Sequence, residues 1–361
     1  MRQGSARPRY VLLGMAAFVL PLLIIASYVV PGPAALVAPA ALEPVEGLIR
    51  VDGATGTPAA TGHLYLAALR VTSEPRLGQC LLARLQTDVE LVPRDRVVAP
   101  GIDGAEFEQL SQRLLVESQR VAEVVALRRA GAQVRLEDAE VLVVSTIDGT
   151  PAGLELQPGD VIEAADGETV QTVAELVSIA YGRVAGEPVE LRVRRNGRTR
   201  WVTLPASHGP LDTEGPVLGT VCVTSGFDYQ APVTVRIDSG PLAGGPAAGL
   251  MYALGVYNAL CTEDITRGHR IAGTGTLRLS GAVGPVDGIR LKVQAAEAGG
   301  AEYFLVPADQ AAAAQAAARQ MKIIPVRTFQ EALTALQQLN ESDHGFRVVP
   351  PAADTTLACA G

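Results

Sequence analysis

Residues 244–251 have the sequence GGPAAGLM, in which a glycine- and proline-rich turn leads into an apolar run with helical spacing. Proline suits a first helical position because its missing N–H would have no intrahelical partner there. The small residues let another chain approach the backbone N–H groups at this helix start. Those groups, together with the helix dipole, favour a developing negative charge. The stretch therefore predicts a helix start that stabilises an anionic group.

A second turn followed by a helix lies about forty residues further along the chain. Residues 284–292 have the sequence GPVDGIRLK, and this helix carries Lys292. Only Lys292 and Lys322 are lysines among the 30 basic residues. Lysine can act as a neutral base, whereas arginine stays charged, so Lys292 is a candidate for proton transfer.

These two stretches, with RIAGTGT at 270–276 and GAVGP at 281–285 between them, resemble the proteolytic domain of the Lon family. The resemblance covers most of residues 215–340. It implies an α+β layered domain with a mixed sheet. In that family a serine at the helix start attacks the peptide carbonyl, and a lysine held neutral by an apolar site takes its proton.

The resemblance assigns roles to individual residues of this chain. Lys292 takes the general-base position. Thr274 and Thr276 lie where the family also carries threonines, which implies a structural role or binding of the lysine. Backbone N–H groups stabilise the oxyanion in the family, and the corresponding positions here are Gly244, Gly245 and Ala248.

Two residues depart from the family pattern. Ala247 occupies the position of the nucleophilic serine and has no oxygen with which to attack. Loss of the nucleophile in a serine protease lowers turnover about a millionfold. Asp287 stands where the family has a glycine beside the lysine helix. We expect its carboxylate to pair with Lys292 and keep it protonated, which is the wrong state for a base. Both departures predict impaired catalysis.

Five other side chains could replace the missing nucleophile, and none is a good candidate. Ser239 is expected to end a strand, Ser280 lies in a predicted turn, and Thr274 and Thr276 belong to a predicted strand. Cys261 is more than three helical turns from Ala247, about 21 Å along the axis. The four histidines are scattered, and no Ser-His-Asp arrangement is indicated.

Residues 138–206 predict a smaller, β-rich domain. LQPGDVI at 156–162 and DGETV at 166–170 are turns that feed short strands, in which glycine supplies a positive φ and the acid caps the turn. This order resembles PDZ domains attached to bacterial envelope proteases. The resemblance implies capture of a polypeptide or C-terminal peptide by strand addition at an open sheet edge. The alternative is a PDZ-like module that only packs on its neighbour and holds a domain interface.

The N-terminus predicts a membrane anchor. Residues 1–9 carry three arginines and no acid, and residues 10–30 contain no charged residue. Such a run can span a hydrocarbon core of ~30 Å. It exceeds the apolar core of a secretory signal, which favours a retained anchor over cleavage near residue 40. The positive-inside rule then predicts a single-pass cell-membrane protein with a cytoplasmic N-terminus and extracytoplasmic domains. The Pro/Ala-rich residues 31–44 predict a linker.

The remaining segments carry no convergent catalytic set. Residues 45–137 contain two strand patterns and a long amphipathic helix over 106–129, which predict a scaffold that packs with the Lon-like domain. Residues 341–361 are polar and then Pro/Ala-rich, which predicts a loose tail.

The composition of the chain argues against several classes of ligand. A net charge of −8 and a pI near 5.2 argue against a nucleic-acid-binding protein. No Gly-x-x-x-x-Gly-Lys-[Ser/Thr] loop occurs, which argues against ATP as a cofactor. The four cysteines form no CxxC pair and have no histidine cluster nearby, so no metal or other cofactor is expected. Cys222 and Cys261 are either a disulfide or two buried thiols.

The sequence therefore predicts an α+β protein with a transmembrane helix, a PDZ domain and a Lon-like domain. We expect a pseudoenzyme that binds envelope or secreted polypeptides, and the family's ring-shaped assemblies further imply a homo-oligomer. The alternative is an active, ATP-independent serine-type endopeptidase of the cell envelope.

Overall fold

The computed structural model describes residues 27–52, 62–86, 88–93, 104–146, 150–184, 186–208, 216–217, 221–238, 245–261 and 263–339. The predicted cytoplasmic residues 1–9, residues 10–26 of the predicted anchor and the predicted tail at 341–361 lie outside these ranges. Within the described ranges, no helix is both long and apolar enough to cross a bilayer.

The described strands, in chain order, are β1 Ala34–Pro39, β2 Glu43–Pro44, β3 Ile49–Asp52, β4 His63–Leu66, β5 Leu69–Thr72, β6 Glu90–Pro93, β7 Arg135–Thr146, β8 Val161–Ala165, β9 Glu168–Thr169, β10 Pro188–Arg195, β11 Arg198–Pro205, β12 Ser207–His208, β13 Pro216–Val217, β14 Val221–Gln230, β15 Thr234–Ile237, β16 Arg270–Gly273, β17 Thr276–Leu277, β18 Val283–Gly284, β19 Tyr303–Pro307 and β20 Lys322–Val326. The described α-helices are α1 Leu77–Ala83, α2 Gly104–Arg129, α3 Pro151–Glu155, α4 Val173–Tyr181, α5 Gly249–Leu260, α6 Ile289–Ala298, α7 Ala311–Ala317 and α8 Phe329–Gln337.

The C-terminal part is built on a five-stranded mixed sheet in the order β2-β4-β16-β19-β20. β16 is parallel to both β4 and β19, so a strand from the N-terminal region is an integral part of this sheet. α5 forms the centre of the core, because Gly249–Asn258 is buried on every face. The helix α2 packs along α5, and α8 closes the same core. α6 and α7 contribute to a separate apolar cluster with β19.

Residues 135–205 form a β-rich unit whose apolar core is separate from that of the C-terminal sheet. Its sheet has the order β11-β10-β8-β7-β14, with β9 paired to β8. Two helices, α3 and α4, belong to this unit, and the N-cap hydroxyl of each, Thr150 and Thr172, accepts a hydrogen bond from its first turn. The predicted Pro-Gly-Asp turn holds Asp160, which forms a two-pronged ion pair with Arg195 of β10.

Three predicted segments differ from the structure. Residues 31–44 are not a free linker, because β1 pairs with β5 on one side and with β6 on the other. The short buried strand expected at 141–144 is instead the twelve-residue β7, with the exposed Leu142 between buried neighbours. The single strand expected over 271–279 is divided into β16 and β17, because the residues between them pair with the start of α5.

The small sheet of β1, β5 and β6 packs on α6. Val37 of β1 and Val92 of β6 form an apolar cluster with Leu291 of α6, and all three side chains are buried. At the edge of this contact Arg290 donates hydrogen bonds to Glu90. The helix that carries Lys292 is therefore covered by a sheet from the N-terminal region.

Candidate functional site

A 3₁₀ turn over Gly245–Ala248 precedes α5, in place of the first turn of the predicted helix. Ala247 is half-buried, and its methyl group packs against an apolar cluster that includes Val286 and Ile289. Gly244, the first of the predicted oxyanion positions, lies outside the described residues. The turn thus brings position 247 to the face of α6 that carries the predicted base.

The segment between β16 and β17 binds the backbone of this turn. Thr274 Oγ1 donates a 3.1 Å hydrogen bond to the carbonyl oxygen of Ala247, and the N–H of Gly275 donates to the same oxygen at 2.9 Å. The N–H of Leu250 donates in return to Gly275 at 3.1 Å. A Cβ at Gly275 would lie 2.8 Å from the Cγ1 of Val283 and 3.3 Å from the Cβ of Leu250, so the side chains packed around this residue leave room only for glycine.

Lys292 is buried, with 4% of its surface exposed. Its Nζ donates a 3.3 Å hydrogen bond to Thr274 Oγ1. Thr274 itself is fully buried, and its hydroxyl accepts from the lysine and donates to Ala247 O. The structure therefore brings Lys292, Thr274 and Ala247 together.

Asp287 lies in the turn that begins α6 and is half-buried. The next residue, Gly288, has a φ of 66°, a left-handed conformation that glycine adopts without steric cost. The turn is held on its other side by Gln310, whose side-chain amide accepts from Val286 N–H at 2.9 Å and donates to Val286 O at 2.7 Å. The expected effect of Asp287 on Lys292 stays a prediction.

The structure also places two serines, which sequence reasoning missed, beside Gly284 and Gly249 of the motif segments. A Cβ at Gly284 would lie 2.5 Å from Thr276 Oγ1 and 3.1 Å from the hydroxyl of Ser178 on α4. A Cβ at Gly249 would lie 3.0 Å from the hydroxyl of Ser118 on α2. Neither helix belongs to the segments that carry the motifs, so the sequence gives no local signal for these contacts.

The side chains that the sequence offered as replacement nucleophiles remain poor candidates. Thr274 is fully buried and already donates to Ala247. Thr276 is buried and its hydroxyl donates to Pro285 O at 3.5 Å. Ser280 is exposed in a turn, and Cys261 carries a buried thiol at the far end of α5. Ser239 lies outside what the structure describes, as does the side chain of Cys222, so the alternatives of a disulfide and two thiols for Cys222 and Cys261 stay open.

The β-rich unit contacts the C-terminal part through α4 and β9. Glu117 of α2 accepts a 2.6 Å hydrogen bond from the N–H of Val173 at the start of α4. Arg278, which follows β17, forms a 3.4 Å ion pair with Glu168 of β9. Through these bonds the unit lies against the loops that surround Thr276 and Gly284.

The sheet edge beside α4 is occupied by the chain itself. β14 pairs antiparallel with β7 from Val221↔Thr146 to Gln230↔Arg135. α4 contacts both β14 and β13. A strand that the sequence assigns to the C-terminal domain is thus the outermost strand of the β-rich sheet.

Comparison with known protein families assigns both units. Residues 129–205 match the PDZ domain, and residues 221–338 match the Lon protease (S16) C-terminal proteolytic domain. A PDZ domain is followed by a Lon-type proteolytic domain in this chain. Lon protease 2 of Bacillus subtilis (strain 168) is 32% identical over 117 residues, which are 32% of this chain and 20% of that protein. The chain thus spans about a fifth of the length of this curated relative.

Solved structures of PDZ domains are also similar to part of the chain. The PDZ domain of an SdrC-like protein from Listeria monocytogenes is 20% identical, covers 25% of this chain and 92% of its own length, and has a TM-score of 0.22. The corresponding domain from Listeria innocua is 19% identical, covers 23% and 92%, and has a TM-score of 0.21.

Proposed function

We propose that this chain is a Lon-type peptidase homologue that binds polypeptides and has lost the ability to cleave them. The observation that carries the proposal is Ala247. Its position is joined to the buried Lys292 through Thr274, but its methyl group has no electron pair with which to attack a carbonyl. A base without a nucleophile leaves only binding and oxyanion stabilisation, which is a loss of about a millionfold in serine proteases.

Binding is assigned to the PDZ domain, whose fold fits peptide binding. Strand addition needs an unpaired sheet edge. The edge of β7 beside α4 is already paired with β14. A ligand that adds at this edge must displace β14, so the structure also supports the second role of the domain, which is to hold an interface with the Lon-type domain.

We further propose that the protein is anchored in the cell membrane by residues 10–30, with its domains outside. The support is the uncharged run, preceded by three arginines. We also propose assembly into a homo-oligomer, by analogy with Lon-type domains. No cofactor, ATP or nucleic acid enters the proposed function.

A second candidate function is ATP-independent endopeptidase activity at the envelope. The observation that favours it is the retained geometry of Lys292 and Thr274 within a domain that matches the proteolytic family. This candidate requires a nucleophile other than Ala247.

The proposed function is tested with the purified full-length protein and fluorescein-labelled, unfolded casein. Fluorescence anisotropy reports binding, and gel analysis of the same samples reports fragments. Binding without fragments after prolonged incubation is the expected result. Fragments produced by the unmodified chain, and absent with Lys292→Met, would establish the endopeptidase instead. If casein is neither bound nor cleaved, the binding role is wrong.

A further inference from the structure

The exposed apolar side chains of the described residues include one group at the start of the described chain. Residues 28–30 and the region of α1 contribute large apolar side chains that are 43–83% exposed. The members of this group, which we call the juxtamembrane surface, are Tyr28, Val29, Val30, Leu81, Leu82 and Leu85.

The two parts of the juxtamembrane surface are bonded to one another. The N–H of Leu77 donates to Val30 O at 2.9 Å, and the guanidinium of Arg76 donates to Val29 O at 3.1 Å. Ser27 packs against α1 so closely that a Cβ at Gly78 would lie 3.1 Å from its Cβ. The end of the uncharged run is therefore attached to the first turn of α1.

The exposed leucines continue along this helix. Leu82 is four residues after Gly78 and lies on the same helical face. Leu85 follows in a turn whose N–H bonds to Leu82 O at 3.0 Å. The opposite face of α1 is buried, because Cys80 and Ala83 pack towards β1 and β6. The helix α1 is thus apolar both on the face that packs against β1 and β6 and on the face that is exposed to solvent.

We propose that the juxtamembrane surface lies in the interfacial layer of the lipid bilayer, so that α1 holds the N-terminal sheet against the membrane. This inference rests on the proposed anchor at residues 10–30, because the anchor ends within the surface. Among the described residues, two exposed basic and two exposed acidic side chains flank it, and apolar contact rather than net charge is the proposed driving force. These flanking residues are Arg76, Arg84, Glu74 and Asp88.

The surface connects the membrane to the candidate site. α1 contacts β1 and β6, and these strands pack through Val37 and Val92 on Leu291 of α6. Lys292 is the next residue of the same helix. Contact of α1 with the bilayer interface would therefore restrict the motion of the β1-β5-β6 sheet, which covers α6 and its Lys292.

The test uses the full-length protein in phosphatidylcholine vesicles whose acyl chains carry bromine, which quenches tryptophan at short range. Leu82→Trp is introduced with Trp201→Phe, so that the variant has one tryptophan. The unmodified chain is the matched control, because its single tryptophan, Trp201, is 55% exposed on β11 of the PDZ domain. Co-flotation of both proteins with the vesicles reports anchoring.

The proposal predicts that the tryptophan emission of the Leu82→Trp, Trp201→Phe variant is lower in brominated than in unbrominated vesicles, because an interfacial residue lies close to the acyl chains. The emission of the unmodified chain should be the same in both. Leu85→Trp in the same background should behave alike. If the proteins float with the vesicles but neither variant is quenched, the proposed contact of this surface with the bilayer is wrong and the anchor stands. The same conclusion follows if Trp201 of the control is quenched as strongly as the variants. Failure of the unmodified chain to float overturns both the anchor and the surface.

Discussion

The amino group of Lys292 donates a 3.3 Å hydrogen bond to the hydroxyl of Thr274, and both side chains are buried. The same hydroxyl donates to the carbonyl oxygen of Ala247. One threonine thus joins the base position to the nucleophile position. Because the hydroxyl of Thr274 accepts from Lys292 and donates to Ala247 O, its removal costs both residues one hydrogen bond, although Ala247 O keeps the bond from Gly275 N–H.

Thr274→Val is expected to lower the free energy of unfolding by about 1–3 kcal/mol, the net contribution of the two hydrogen bonds that the substitution removes. Urea denaturation of the full-length protein measures it. The matched control is Thr276→Val, whose hydroxyl makes a weaker, 3.5 Å contact with Pro285 O. Its effect should be smaller. Equal effects of the two substitutions would contradict the bridging role of Thr274.

A buried carboxyl on α2 makes stability depend on pH. Burial raises the pKa of Glu123 from 4.5 to about 7, although the hydroxyl of Tyr229, at 2.8 Å, and the charge of Arg120 act in the opposite direction. Asp228 adds to the rise. Since the folded-state pKa is raised, the contribution is fully present below about pH 4.5 and is lost as the pH rises through 7.

Glu123→Gln removes this titration and is expected to flatten the decline in the free energy of unfolding between pH 5 and pH 8. The change in pKa corresponds to a decline of about 3 kcal/mol in the unmodified protein. Urea titrations at a series of pH values measure both curves. Parallel curves would show that Glu123 does not titrate in this range.

The Asp160–Arg195 pair is expected to stabilise the PDZ domain. Burial raises the pKa of Asp160, but hydrogen bonds from Arg195 and from Gln157 N–H outweigh it and lower the pKa below its usual value. Its contribution is therefore present above about pH 4 and is lost as the pH falls through the folded-state pKa.

Asp160→Asn should destabilise the protein by about 2–4 kcal/mol at pH 7, because it leaves the Arg195 guanidinium without its paired charge. Below pH 3 the difference from the unmodified protein should shrink. Glu155→Gln is the control, because the ion pair of Glu155 with Arg200 is largely exposed and is expected to contribute little. A difference that is independent of pH would count against the ionic account.

Leu291→Ala is expected to cost about 2–5 kcal/mol, as for other buried leucines, and to loosen the N-terminal sheet from α6. Hydrogen exchange of β1 and β6 measures the loosening. Leu81→Ala, at an exposed position of α1, should leave exchange in these strands unchanged. Unchanged protection after Leu291→Ala would mean that the sheet is held by other contacts.

Elements with local signals were predictable from the sequence. The helices α5 and α6 follow apolar periodicity and glycine- or proline-rich starts, and residues 289–298 agree at both ends. The proximity of Lys292, Thr274 and Ala247 was also predictable, because the three motifs that carry them occur together at the family's spacing.

Pairings between distant segments were not predictable in the same way. Nothing in the composition of β14 shows that it extends the sheet of β7 rather than the sheet that follows it, because strand partners are chosen by tertiary packing. The Pro/Ala-rich β1 is ordered by two partner strands and not by its own propensity. Ser178 and Ser118 lie beside Gly284 and Gly249 but belong to helices outside the motifs, so only the fold brings them there.

The most direct test of the account restores the missing oxygen. Casein cleavage is measured for the full-length protein, for Ala247→Ser, for Ala247→Ser with Lys292→Met, and for Ala247→Ser with Asp287→Gly. The account predicts no cleavage by the unmodified protein, cleavage by the serine variant or by its Asp287→Gly derivative, and loss of that cleavage with Lys292→Met. Cleavage by the unmodified protein at a rate comparable to that of the serine variant would contradict it.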